Sequence, residues 1–336
     1  MNSFWQKLNK EKGVIKGLAP MDGITDAAFR FAVAKYGKPD VIFTEFVAVD
    51  GVCASFDKAI KRRARAKKIL DGFIYDESER PIVAQIFGVK PDNFYKVAPF
   101  LCELGFDGID INMGCPDKNI MRIGGGGSLI GSPKIAVEMV VATKNGVKEW
   151  AKEKEKKEIP VSVKTRIGMN TDTIIEWAKY LSEMELANVT IHGRTLKQMY
   201  SGVSDWEAIA KGAEIIKNGN PNVTVLGNGD IKTVEQGKEM AKKYNVDGFL
   251  IGRAAIGDPF IFSGRQAEIK ERLMAAIDHI RYYEKIFKDK SFVDIRKHLV
   301  WYAKGFEGAS EVRARLMKTE NAKECEEIIL EVVEKL

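Results

Sequence analysis

Eight short runs with strand character, separated by helical patterns, recur along the first three quarters of this 336-residue chain. They are "GVIKGLAPM" (13–21), "DVIFTEF" (40–46), "PIVAQIFG" (81–88), "DGIDINMG" (107–114), "IPVSVKTRIG" (159–168), "NVTIHGR" (188–194), "NVTVLGNGDI" (222–231) and "DGFLIGRA" (247–254). They are rich in Val, Ile and Phe, and most end in Gly or a polar residue. Between them, "DNFYKVAPFLCELG" (92–105), "TDTIIEWAKYLSEME" (171–185) and "VEQGKEMAKKY" (234–244) carry apolar residues at helical spacing. Strand alternating with helix eight times predicts a closed (β/α)8 barrel. A doubly wound open sheet is the alternative, but eight units in about 240 residues fit closure better.

The strand signals stop after "GDPFIFSG" (257–264), and residues 265–336 read as helices. The expected fold class is therefore α/β, a TIM barrel in 1–264 followed by a small all-α domain in 265–336. The tail is unevenly charged. Residues 265–318 hold 13 Lys/Arg against 8 Asp/Glu, and residues 319–336 hold 2 against 6. A solvated helical bundle explains such a face by itself. The whole chain carries +6, which is weak evidence for a nucleic-acid partner. The segment "DKAIKRRARAKK" (57–68) has seven basic residues within 58–68 and follows the second strand. It reads either as a solvated helix or as a surface that tracks phosphates. No apolar run approaches the ~20 residues that span a bilayer. The start "MNSFWQKLNKEKG" has no apolar core of a signal peptide. Cys53, Cys102, Cys115 and Cys325 show no C-x-x-C or zinc spacing, so free thiols, no metal and a cytoplasmic location are expected.

In a barrel of this kind the chemistry sits at the carboxyl ends of the strands. Those ends are Pro20 and Met21, Glu45, Gln85, Asn112 to Cys115, Lys164 with Arg166, His192 with Arg194, Asn228-Gly229-Asp230, and Gly252 with Arg253. Nearly every one can hydrogen-bond or titrate. Any single one is explained as a cap or loop residue; the set is not. The glycines after strands 7 and 8 suit a phosphate, with Arg253 as a charged partner. There is no dinucleotide G-x-G-x-x-G after the first strand, so a mononucleotide cofactor or a phosphorylated sugar is indicated. Alternation puts Ser162, Lys164 and Arg166 on one face, where a buried ammonium needs an anionic or electron-rich partner. Cys115 sits in a Gly-Cys-Pro turn and reads as an acid, a nucleophile or an inert small hydrophobe. As a nucleophile it would need His192 as base, since His279 and His298 fall in the helical tail. The run "GGGG" (124–127) lacks the Lys-Ser/Thr of a P-loop and is expected to form a mobile or tightly turning loop before a helix from about Ser132.

Taken in order, "LAPMDGITDAAFR", "AQIFG", "INMGCPDKN", "VSVKTRIG", "IHGRTLKQMYSG", "NGDI" and "IGRAAIGDPFIF" resemble the tRNA-dihydrouridine synthases. The tail "RKHLVWYAKGFEGASEVRARLMKTENAKE" looks like that family's C-terminal helical domain. The resemblance covers residues ~14–325, and "INMGCP" looks most like the bacterial B-type branch. "RIGGGGSLI" is glycine-richer than the family's usual version, and the basic 57–68 segment is not among its signatures.

What the resemblance implies is FMN-dependent reduction of the uracil C5–C6 double bond in tRNA, with NADPH (or NADH) as reductant. By motif, Cys115 is then the proton donor. The matches for FMN contacts are Pro20, Met21, Asp22, Gln85, Lys164, His192, Asn228, Gly229, Asp230, Gly252 and Arg253. Asn112 and Arg194 are the matches for substrate contacts. The implied partner is the D-loop region of tRNA, held by the helical domain and the basic segment, with the enzyme a monomer. A different FMN barrel acting on a uracil-like ring, such as a dihydroorotate dehydrogenase, leaves the helical domain unexplained. A non-catalytic RNA-binding barrel predicts tRNA binding without flavin.

Overall fold

A computed structural model describes residues 3–56 and 68–336. Apart from Lys68, the basic 57–68 segment lies outside the described residues. The sequence runs condense into parallel strands β1 (Ile15–Leu18), β2 (Val41–Phe43), β3 (Val47–Ala48), β4 (Ile82–Phe87), β5 (Gly108–Met113), β6 (Val161–Gly168), β7 (Asn188–Thr195), β8 (Thr224–Asn228) and β9 (Gly248–Ile251). Neighbours pair in order from β4 to β9, β9 pairs with β1, β1 with β2, and β2 with β4, which closes the barrel. The second expected strand is broken. β2 stops at Phe43, and the short β3 resumes the pairing with β4 at Val47↔Ile86. The barrel thus has eight staves, with the second in two pieces.

Alternation along each strand sorts the side chains. Ile82, Ala84 and Ile86, Ile109, Ile111 and Met113, Val161 and Val163, and Val189 and Ile191 belong to the core between the strands and the surrounding helices. The inward residues differ by stave. Ile15, Val41, Phe43, Val83, Leu226 and Leu250 form an apolar interior. From Gln85 on β4 and along β5 to β7 buried inward positions are instead polar: Gln85, Asp110, Asn112, Ser162, Thr190 and His192. One half of the interior is oily and the other half is built for hydrogen bonds.

The sequence reading missed the first helix, Phe4–Lys12. Only Trp5 and Leu8 of it are buried, so its apolar signal is two residues. They cap the amino end of the barrel, where Trp5 is fully buried with its ring 6.0 Å from that of Phe43. The glycine run does turn tightly. A helical turn, Lys118–Arg122, capped by the Asp117 side chain, precedes it, and a 3-10 segment, Gly126–Gly131, leads to the helix Pro133–Glu153. Gly126 has φ +57°, and a Cβ there would come within 3.1 Å of Cys115 Cβ. The glycines let this loop lie against the Cys115 turn.

Beyond β9 come helices Ile269–Ile286, Val293–Tyr302, Ala309–Leu316 and Ala322–Lys335. Their core is shared with the barrel: Ala27, Ala28 and Phe260 pack into it. The helix Ala27–Tyr36 forms the seam. Phe31 stacks on Tyr282 with ring centroids 3.9 Å apart. Phe29 meets the buried rings of His279 and His298 at 6.0 and 5.5 Å. His279 Nδ1 lies 3.1 Å from the Tyr302 hydroxyl, and both ring nitrogens of His298 are buried without a partner among the described residues.

Burial holds these two histidines neutral, at about 4 for His279 and about 3 for His298. The unfolded chain takes up protons on both below an ordinary value of 6.5, while the folded chain does not. Their contribution is therefore full above about pH 6.5 and is lost as pH falls toward 4. Between pH 7 and 4.5 the wild type should lose on the order of 2–3 kcal/mol more unfolding free energy than His298→Phe. Urea titrations at the two pH values check this. Equal losses would show that His298 titrates normally.

Candidate active site

A cavity of about 890 Å³ opens at the carboxyl ends of the strands. That lies toward the upper end of the roughly 300–1,000 Å³ usual for small-molecule sites. Twelve of the residues singled out from the sequence line it: Pro20, Met21, Asp22, Asn112, Cys115, Lys164, His192, Asn228, Gly229, Asp230, Gly252 and Arg253. They come from six chain segments more than 200 residues apart at the extremes, and barrel closure alone brings them together. Gln85 and Arg194 do not line it. Glu45 also stays out, and its neighbour Phe46 takes the wall position.

Gln85 lies beneath the floor. Its Nε2 donates to Asp110 Oδ2 at 2.8 Å, and its Oε1 accepts from Asn112 Nδ2 at 3.0 Å. Asn112 Oδ1 in turn accepts from the backbone N–H of Gly114 and Cys115, at 3.1 and 2.9 Å. The Asn112 side chain therefore shapes the turn that presents Cys115. The thiol is half-buried and its pKa is raised, first by burial, with Asp117 and Asp22 adding to the effect. It stays protonated at neutral pH.

Arg194 is buried behind the wall as a fastener. It donates to the carbonyls of Ser201 and Gly202 at 3.1 and 2.6 Å and to Asp230 Oδ2 at 2.7 Å, and its Nη1 lies 3.4 Å from His192 Nε2. The burial of His192, beside Arg166, Lys164, Arg194 and Arg253, drives its pKa far down, so the ring is neutral. Asp230 also pairs with Arg253 at 3.0 Å and accepts from Ser204 N at 2.8 Å. Gly229 precedes it at φ +128°, and a Cβ there would stand 2.1 Å from Ser204 Oγ. Only glycine fits that corner.

The sequence reading named Arg166 only as a strand end and did not single out Asp117 or Tyr200, and all three are on the cavity wall. Arg166 ties the Cys115 turn to the loop after β7. Its Nε donates to the Gly114 carbonyl at 2.8 Å and its Nη1 to those of Thr195 and Met199 at 3.1 Å. The same loop sets the Tyr200 ring at the mouth, under the Arg253 guanidinium at 5.2 Å. The aromatic residue in "KQMYSG" after a polar strand end was the available signal.

Lys164, Arg166, Lys232 and Arg253 line the cavity against Asp22, Asp117 and Asp230, and Arg253 is already paired with Asp230, so the charge offered to an anionic ligand is concentrated on the remaining cations. Lys164 Nζ makes no hydrogen bond or ion pair with a described residue, and burial lowers its pKa to about 8. Among the described residues no group of His, Cys, Asp and Glu could hold a metal ion, and no helix is long and apolar enough to cross a membrane.

The fold and the cleft define a (β/α)8 enzyme with a charged pocket, a buried lysine, a neutral histidine and a protonated thiol at the carboxyl ends of its strands. Residues 17–335 match the family model described as dihydrouridine synthase (Dus), and the chain belongs to that family of oxidoreductases. It is 35% identical over 332 residues to a probable tRNA-dihydrouridine synthase of Staphylococcus epidermidis, covering 97% of this chain and 95% of that one. It is 34% identical, with the same coverage, to a probable tRNA-dihydrouridine synthase 2 of Bacillus subtilis. A solved complex of 2-naphthoyl-CoA reductase with 2-naphthoyl-CoA aligns with a TM-score of 0.51 at 11% identity, over 74% of this chain and 49% of that chain. That likeness is one of fold alone.

Proposed function

We propose that this enzyme reduces the C5–C6 double bond of D-loop uridines in tRNA to 5,6-dihydrouridine, using FMN and NADPH (or NADH). The single observation that carries this reading is Cys115, a protonated thiol in the same cavity as the partnerless Lys164 ammonium and the neutral His192.

The cavity fits FMN by its chemistry. The glycine corner at Gly229 and the Gly252 turn, with Arg253 beside them, suit a phosphate. Lys164 suits an electron-rich ring edge, and Pro20, Met21 and Asp22 form the opposite wall. Asn228, Asp230 and His192 would complete the holding set, with Gln85 supporting it from below. Bound there, FMN would supply the hydride for C6 of the uracil.

The chain's own residues do the rest. Cys115 donates the proton that C5 receives. Asn112 fixes the Cys115 turn and faces the substrate. Arg194 acts on the substrate side through the loop it clamps. Lys164 holds positive charge where negative charge collects. The target uridine must leave its stack to enter the cavity. Residues 1–264 carry this chemistry. The helices of 265–336 and the basic 57–68 segment hold the folded tRNA by shape and phosphate, one monomer to one tRNA in the cytoplasm.

The test is dihydrouridine mapping on unmodified tRNA incubated with the protein, FMN and NADPH. Dihydrouridine at one or two D-loop positions is expected. A protein that binds and reduces flavin yet leaves every uridine intact would refute the tRNA reading. Lys164→Ala is expected to weaken FMN retention about tenfold or more, since it removes a charge-assisted contact. Flavin content after gel filtration checks it, and unchanged content would remove Lys164 from the site.

A further inference from the structure

Asp110 is fully buried in the barrel interior, one layer below the cavity floor, and the chemistry described so far leaves it without a task. A carboxylate there is costly, because Asp110 is fully removed from water and an ionised group loses its hydration on burial. Register explains its surroundings. Asp110 stands opposite Gln85 on β4 and Ser162 on β6, and Asn112 stands opposite Lys164. Ser162 Oγ donates to Asp110 Oδ1 at 2.6 Å, and Gln85 Nε2 donates to Oδ2 at 2.8 Å. Both oxygens are thus fixed by neutral donors, and neither donor neutralises the charge. The cation that its field reaches is Lys164, two residues beyond Ser162 on the same inward face.

We propose that Asp110 is a positioning residue of this site: its carboxylate, clamped by Ser162 and Gln85, is the counter-charge of the Lys164 ammonium. The inference rests on the flavin reading of the cavity but is separable from it. Lys164 faces Arg166 on its own strand, His192 on β7, and Cys115 and Asp110 from β5 and the turn after it. Burial and Arg166 push its proton off, while Asp110 and Cys115 hold it on. With Cys115 protonated, Asp110 is the standing negative charge among them. Its own pKa is raised by burial to about 6, and the Ser162 and Gln85 hydrogen bonds and Lys164 limit that rise. Asp110 is therefore ionised at neutral pH, and it keeps Lys164 charged there. The same carboxylate anchors the chain of hydrogen bonds through Gln85 and Asn112 to the Cys115 N–H.

The test is made on the full-length protein freed of flavin, with its lysines labelled with carbon-13 at Cε. The Lys164 signal, assigned by its loss in Lys164→Arg, is titrated in wild type and in Asp110→Asn, which keeps the shape and removes the charge. The Lys164 midpoint should fall by about one pH unit in Asp110→Asn, a tenfold change in its proton affinity. FMN affinity, followed by quenching of flavin fluorescence, should weaken at a correspondingly lower pH. If Asp110→Asn does not fold, Ser162→Ala serves. It leaves the carboxylate but removes its 2.6 Å donor, so Asp110 holds its proton more tightly and the Lys164 midpoint moves down as well. A Lys164 midpoint that stays put in a folded variant overturns the proposal, whatever happens to activity. Failure of the wild type to bind FMN would instead sink the flavin reading, and the lysine titration would still decide the role of Asp110.

Discussion

Cys115→Ala should fold, bind FMN and have that flavin reduced by NADPH at the wild-type rate in a single turnover, yet form dihydrouridine about 10²–10⁴-fold more slowly. The Cys115 turn is organised by backbone, not by sulfur. Asn112 receives the Cys115 N–H, and the Cys115 carbonyl accepts from Gly127 N at 3.0 Å. Removing Sγ leaves these bonds in place, so the loss should fall on the proton-transfer step. The sign of the pH dependence distinguishes an acid from a nucleophile. A thiol acid works while protonated, and burial raises the Cys115 pKa. The rate should therefore hold through neutral pH and fall as pH rises through the thiol's pKa. A nucleophile would need thiolate and a base, and the neutral His192 already lies against the Arg194 guanidinium. Slow alkylation of Cys115 by iodoacetamide at neutral pH is the matching result. Near-normal product formation by Cys115→Ala would end the assignment. So would lost flavin binding, which would make Cys115 part of the cofactor's seat.

The barrel was legible because its strands report it locally. Ile109, Ile111 and Met113, or Val161 and Val163, alternate with polar residues that have no reason to be buried except at a site. Reading the ends of the runs found most of one cavity wall without any knowledge of contacts, and the family resemblance added Asp22. A strand end misleads where its side chain points the right way but is used behind the wall. Arg194 and Gln85 end their strands like the others, yet the first is spent on backbone carbonyls and the second on Asp110. No local pattern separates an arginine that meets a ligand from one that fastens a loop. Asp110 was overlooked for the related reason that it sits one layer too deep to count as a strand end. The helix Phe4–Lys12 escaped because two buried residues make no period. Trp5 acquires meaning only once the barrel has an open amino end for it to close. The division at 264 follows the composition, but Phe29, Phe31 and the two buried histidines make the seam a continuous core. Local composition could not show that seam, because its two faces are far apart in the chain.

Arg194→Ala is expected to be the most damaging single change outside the thiol. Arg194 is 2% exposed and makes three hydrogen bonds on two different loops, to Ser201 O, Gly202 O and Asp230. Deleting it leaves two carbonyls and one side of Asp230 without their donor in a site that water enters poorly. Breaking a buried pair from one side costs about 3–5 kcal/mol. Asp230 keeps Arg253 and the Ser204 N–H, so the lower end of that range applies, and a melting point lower by roughly 4–5 °C should result. The functional loss should exceed the loss of stability, because the two loops joined by this guanidinium carry Tyr200 and the Gly229 corner. Released, the 196–203 loop should become sensitive to limited proteolysis, and FMN should wash out on gel filtration. Arg194→Lys should recover little. An ammonium is a point donor on a flexible stem and cannot reproduce a planar fork that reaches carbonyl and carboxylate together. A melting point and flavin content equal to wild type in Arg194→Ala would mean that the loops hold themselves. Arg194 would then act on the substrate directly, and its loss should appear in the Michaelis constant for tRNA instead.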